Sequence, residues 1–151
     1  MQNHVTLFSG LRNAPHELAR LLAKIPGELE HEPLAEGEWS PHQIVSHLCA
    51  VNREVYHLRM HRILDESNPL FEDFDEKAWM AAHYLPSVTM KALAAEFSKS
   101  CDEAAAWLEG LPAEAWERVG THPTRGTHSL EWWAERMEAH ITEHLAQLRG
   151  E

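Results

Sequence analysis

Cysteine is scarce in this 151-residue chain: Cys49 and Cys101 stand far apart, each inside a helical pattern. That excludes a disulfide framework and a CxxC metal motif, and leaves both as expected packing residues. No apolar run approaches the roughly 18 residues that span a bilayer, so no membrane segment is expected. The opening stretch "MQNHVTLFSGLRNAPHEL" lacks the basic flank and apolar centre of a signal peptide, and the expected location is the cytoplasm. Basic residues are few, 13 Lys and Arg against 24 Asp and Glu, for a net charge of −11. No Lys/Arg cluster offsets that charge locally, so a phosphate backbone is repelled and nucleic acid is not an expected partner. Internal repeats and low-complexity tracts are also missing.

What is present is a soluble composition, 44% hydrophobic and 25% charged, long enough to bury a real core and read as one domain over 1–151. The periodicity is helical throughout. A first helix carries Leu18, Leu21, Leu22 and Ile25 at helical spacing and stops at Pro26-Gly27. A second starts at Ser40 as N-cap, with Pro41 at the first helical position and Gln43 completing a capping box. It should run to about Asp65 with Ile44, Leu48, Val51, Val55 and Leu58 on one stripe. A connection of about twenty residues follows, from Ser67 to Pro86 with a short helical piece near Glu76 to Ala82, a length expected of a crossover. The third helix starts near Ser87, presents Met90, Leu93, Ala94, Phe97, Cys101, Ala104 and Leu108, and ends at Gly110. After a loop with one helical turn beyond Pro112, the fourth runs from Ser129 to Arg149 on Leu130, Trp133, Met137, Ile141, Leu145 and Leu148. Four amphipathic helices without alternating strands predict an all-α four-helix bundle.

Twelve histidines are many, and their placement matters more than their number. His140 and His144 form an i, i+4 pair, about 40° apart in azimuth and roughly 6 Å apart along the axis, so both imidazoles can converge on one point. His144 falls inside the apolar arc of the fourth helix and His140 at its edge; His47 sits at the edge of the stripe on the second. His47 lies roughly 10 Å from the start of its helix, and the pair roughly 8 to 14 Å from the end of theirs. The three are level only if helices 2 and 4 run antiparallel, which a long crossover between helices 2 and 3 provides. Three neutral imidazoles in an apolar bundle would each need a separate hydrogen-bond partner; a divalent metal of the zinc, nickel, iron or manganese type satisfies all three and keeps a position open. His57 and His61 form a second HxxxH that points away from the stripe and reads as surface. His122 and His128 read as solvated loop residues, with the mouth of a pocket as the alternative. Glu54, one heptad after His47, reads as an exposed glutamate, with a ligand-orienting or basic role as the alternative. Trp39, Trp107, Trp132 and Trp133 read as packing.

The stretches "EWSPHQIVSHL", "HLRMHRILDESNPLFEDFDEKAW", "HPTRG" and "HITEHLAQL", in this order and spacing, resemble the DinB/YfiT-like superfamily over most of the chain from Trp39 onward. The resemblance implies an up-down-down-up four-helix bundle, usually a homodimer, with a divalent metal on His47, His140 and His144. It also implies a metal-dependent hydrolase or an S-transferase that uses a low-molecular-weight thiol such as bacillithiol or mycothiol. By family analogy alone the transferase is preferred; Arg59 and Trp79 match family positions without an assigned role. In either activity the metal is a Lewis acid toward a small-molecule substrate, thiol or water. The rival expectation is a non-enzymatic binding or stress-response module whose metal is structural or absent, and a closed fourth protein ligand would favour it.

Overall fold

The computed structural model describes residues 4–151; residues 1–3 of the expected 1–151 domain lie outside the described residues. Helix α1, Val5–Ala23, buries Leu7, Leu11, Ala14, Leu18 and Leu21, so its stripe extends further back than the leucines near its end suggested. Its last turn tightens, with Lys24 N–H on Leu21 O and Ile25 N–H on Leu22 O at 3.1 Å. Ile25 therefore leaves the helix and packs only partly on the core.

The second rod opens as the sequence predicts. Ser40 Oγ accepts from Gln43 N at 3.1 Å and Gln43 Oε1 from Ser40 N at 2.9 Å, a reciprocal pair that satisfies two orphan donors. The rod is not one uniform α-helix, however. Helix α2, Pro41–Val51, passes into a π-helical segment, Asn52–His57, before α3, Leu58–Asp65. A π turn inserts about one extra residue and rotates everything beyond it by roughly 100° relative to an α wheel. Leu58, expected on the stripe, is therefore 52% exposed, while Arg59, Met60 and Ile63 are buried.

A long crossover returns the chain to the other end of the bundle. It holds α4, Glu76–His83, capped by Asp75 on Ala78 N. Its last part is tied to the second rod by buried His42, whose Nδ1 accepts from the Tyr84 hydroxyl and whose Nε2 donates to Val88 O, each at 2.6 Å. Helix α5, Met90–Glu109, is capped by Thr89 and buries the predicted face, Ala94 being only half-buried. Cys49 and Cys101 are free and buried in the core, as expected.

The segment between α5 and α6 departs from the loop expected of it. The helical turn after Pro112 is there, as a 3-10 helix Ala113–Glu117. It leads into a two-stranded antiparallel hairpin, β1 Val119–His122 and β2 Gly126–Ser129, in register Val119 to Ser129 and His122 to Gly126. The crossover docks on it: Phe71 N–H donates to Thr121 O and Thr121 N–H to Pro69 O, both at 2.8 Å. Strands of four residues are too short for an alternating apolar pattern, and Gly120 leaves room for the Phe71 ring where a side chain would stand. Helix α6, Leu130–Leu148, follows directly, capped by Ser129.

The α1 helix packs on α5 and α6, and α2 lies between α5 and α6, in the up-down-down-up order that runs α2 and α6 antiparallel. Leucines, phenylalanines and Trp133 from these elements form one hydrophobic core. Among the described residues no helix is long and apolar enough to cross a membrane.

Candidate metal centre

His47 comes from the second turn of α2, and His140 and His144 from the second half of α6. Antiparallel packing puts them level. His47 Nε2 and His140 Nε2 are 3.2 Å apart, and one ring nitrogen of each of the three histidines lies within 4.8 Å of the others. His47 is only 1% exposed, and Trp39 covers its ring with centroids 4.8 Å apart. Burial, reinforced by His144, lowers the His47 pKa to about 4. Burial, then His144 and His47, lowers that of His140 to about 3. Both imidazoles are therefore neutral near pH 7, the form that ligates a metal.

The donor set fits a divalent ion. Two Nε2 lone pairs facing each other at 3.2 Å need a cation or a proton between them, and nitrogens about 2.0–2.1 Å from a tetrahedral ion stand roughly 3.3 Å apart. The third histidine is oriented from outside: His144 Nδ1 is 2.9 Å from Gln147 Oε1. That oxygen only accepts, so Nδ1 carries the proton and Nε2 is left with its lone pair. Gln147 is one helical turn further along α6 and thereby sets the tautomer. His140 Nδ1 is buried without a hydrogen-bond partner among the described residues. No further His, Cys, Asp or Glu joins the cluster among the described residues; the nearest carboxylate is Glu76 Oε2, 3.4 Å from His47 Nε2. Glu76 is half exposed on the first turn of α4, so the crossover brings an acid to the rim of the triad.

Beside His140 opens a cavity of about 120 Å³ whose lining includes Tyr56, Arg59, Glu76, His122, Arg125 and Arg136. His122 corrects the solvated-loop reading: it is 3% exposed, and its Nδ1 accepts from Thr124 N and Arg125 N at 3.1 Å. That fixes the proton on Nε2, 3.3 Å from Asp73 Oδ1. His128 is also structural, donating to Arg125 O at 2.7 Å and stacking on Trp132 at 3.7 Å. The surface reading of His57 fails too, since the π turn leaves it half-buried with Nε2 unpartnered. His61 stacks on Trp107 at 4.0 Å. Glu54 is exposed beside Arg53, as expected. Arg59 gains a role: its guanidinium donates to Glu72 O at 2.9 Å and lies 5.1 Å over the Trp133 ring. Trp79 stacks on His83. Sequence reasoning missed Glu76, Gln147, Tyr56 and Arg136; only Gln147, at i+3 from His144, had a spacing that could have pointed to it.

Comparison with known proteins agrees with this architecture. The chain is 27% identical over 144 residues to a protein of Oceanobacillus iheyensis named "Putative metal-dependent hydrolase", covering 86% of this chain and 81% of that one. It superposes with a TM-score of 0.74 and 25% identity on YfiT from Bacillus subtilis, covering 96% of this chain and 86% of the other. That structure is described as "a probable metal-dependent hydrolase with an unusual four-helix bundle topology". The sequence profile of the DinB superfamily matches residues 11–148, nearly the whole chain, and the protein belongs to that superfamily.

Proposed function

We propose that this protein is a metal-dependent hydrolase that acts on a small molecule in the cavity beside His140. The observation that supports it most is the set of three converging imidazoles with a carboxylate at their rim and, among the described residues, no fourth ligand joined to them. A divalent ion on His47, His140 and His144, zinc, nickel, iron or manganese, supplies Lewis acidity and a lowered pKa for a bound nucleophile. The chain's own residues supply the rest. Trp39 shields the His47 side from water, Gln147 holds His144 in the ligating tautomer, and Glu76 takes the proton that an attacking water gives up. Water as nucleophile accords with the description of the relatives; a low-molecular-weight thiol in its place turns the same site into an S-transferase. The homodimer implied by the family resemblance belongs to the proposal and is read by sedimentation.

One observation favours a second reading. Glu76 is close enough to His47 to swing in as a fourth ligand, which would make the metal structural. Glu76→Gln separates the two. The hydrolase reading expects stoichiometric metal in untagged Glu76→Gln protein, with hydrolysis of model esters and amides lowered about 100-fold or more. Metal lost from Glu76→Gln protein, as from the His140→Ala/His144→Ala variant, marks a closing ligand. Conjugation of a model electrophile by thiols without any hydrolysis turns the assignment to the transferase. Absence of stoichiometric metal in the wild type after supplementation with all four ions overturns the site itself.

A further inference from the structure

We infer that the cavity beside the triad is an oxyanion subsite, so that the substrate carries a carboxylate or phosphoryl group held by Arg136 and Arg125. The inference rests on the proposed metal site for its role in turnover, but not for the binding itself.

Charge is the first argument. A chain of net charge −11 has 13 Lys and Arg in all, and three of them, Arg59, Arg125 and Arg136, line this one small cavity. Two carboxylates line it as well, Asp73 and Glu76. Each faces a histidine, His122 at 3.3 Å and His47 at 3.4 Å, and neither forms an ion pair with any of the three arginines. The cavity is thus locally cationic on a strongly anionic molecule, which selects for anions at the place where substrate reaches the triad.

Unused donors are the second argument. Arg136 comes from α6 one turn before His140, and its Nε is buried with no hydrogen-bond partner among the described residues. Its only ion pair among the described residues is a loose one, Nη1 to Glu143 at 3.8 Å. A buried guanidinium N–H left unpaired is costly unless something accepts from it. Arg125 sits exposed at the hairpin tip, where its backbone is held by His122 and His128 while its guanidinium forms no ion pair or hydrogen bond with the described residues. All three arginines line the same small cavity, around the buried Tyr56 ring. Planar guanidinium forks suit carboxylate and phosphate oxygens, and a site of about 120 Å³ suits the end group of a substrate rather than a whole cofactor. Arg59 differs, because it is anchored by an Nη2 hydrogen bond to Glu72 O and by its face on Trp133; it adds charge and rigidity.

The test uses metal-free, full-length protein, so that a failure of the metal proposal does not mask it. Isothermal titration calorimetry follows titration with inorganic phosphate and, separately, with succinate. The expected result is saturable binding of at least one anion, weakened about tenfold or more in Arg136→Gln and in Arg125→Gln, with unchanged circular dichroism. The anion bound more tightly tells phosphoryl from carboxylate. No saturable binding of either anion, or binding that both variants leave unchanged, overturns the inference. Metal content measured on the same wild-type and variant preparations reads the metal proposal separately.

Discussion

Gln147 shows how one uncharged residue can set the tautomer of a histidine. His144 is half-buried and could carry its proton on either nitrogen; the amide oxygen 2.9 Å from Nδ1 removes that freedom. Replacing it with leucine keeps helix propensity and most of the volume but removes the acceptor. Gln147→Leu is expected to weaken metal binding about 10-fold to 100-fold while leaving thermal stability of the metal-free protein within about 0.5 kcal/mol. Competition with a chromophoric chelator measures the first and urea unfolding the second. Unchanged affinity would mean that the amide is a bystander. The convergence of His47, His140 and His144 was legible in the sequence because helix geometry fixes their faces and the long crossover sets the antiparallel direction that makes them level. Gln147, Glu76 and Arg136 were not, because each acts through a neighbour that only the fold supplies.

At the scale of elements, the rods and caps were legible and the irregular pieces were not, for two physical reasons. A wheel drawn through residues 41 to 65 assumes a constant 100° step, and the π segment Asn52–His57 breaks it. Ile44, Leu48 and Val51 before it, and Val55 within it, fell where expected; His57 at its end and Leu58 beyond it did not. The hairpin was hidden because four-residue strands give too short a pattern to read. Yet the hairpin carries His122 and Arg125 to the cavity, and its docking depends on Gly120. A Cβ there would meet the Phe71 ring at 2.5 Å and Ile63 Cγ1 at 3.0 Å, and Phe71 is only 2% exposed, with little room to give way. Gly120→Ala should therefore destabilise the fold by about 1–3 kcal/mol, the cost of overpacking. The double variant Gly120→Ala/Phe71→Leu should recover part of that loss. Denaturant midpoints of the three proteins check the pair, and additive losses would show that the ring is not the obstacle.

The whole molecule is a balance between burying histidines and keeping them neutral. Burial depresses the pKa of His47 to about 4 and of His140 to about 3, and lowers that of His57. In the unfolded chain each returns to roughly 6.5. Between the folded and unfolded values the unfolded state binds more protons, so stability rises with pH there. The contribution is fully present above about pH 6.5 and is lost as the pH falls toward about 4 for His47 and about 3 for His140, at a slope of at most about 1.4 kcal/mol per pH unit for each histidine. Metal-free protein should thus lose urea midpoint steadily between pH 7 and 4.5. His140→Ala removes one of these groups, and though a cavity makes it less stable at pH 7, its pH slope should be shallower than that of the wild type. Parallel slopes would show that His140 does not titrate on unfolding and that its burial is relieved by opening of the site. With metal bound, the same protons must displace the ion from the three imidazoles. Loaded protein should therefore be more stable than metal-free protein at pH 7 and should lose that advantage as the pH falls. A pH series of paired unfolding curves, with and without chelator, measures both effects at once, since crossover packing, triad and core unfold together when one hydrophobic cluster joins them.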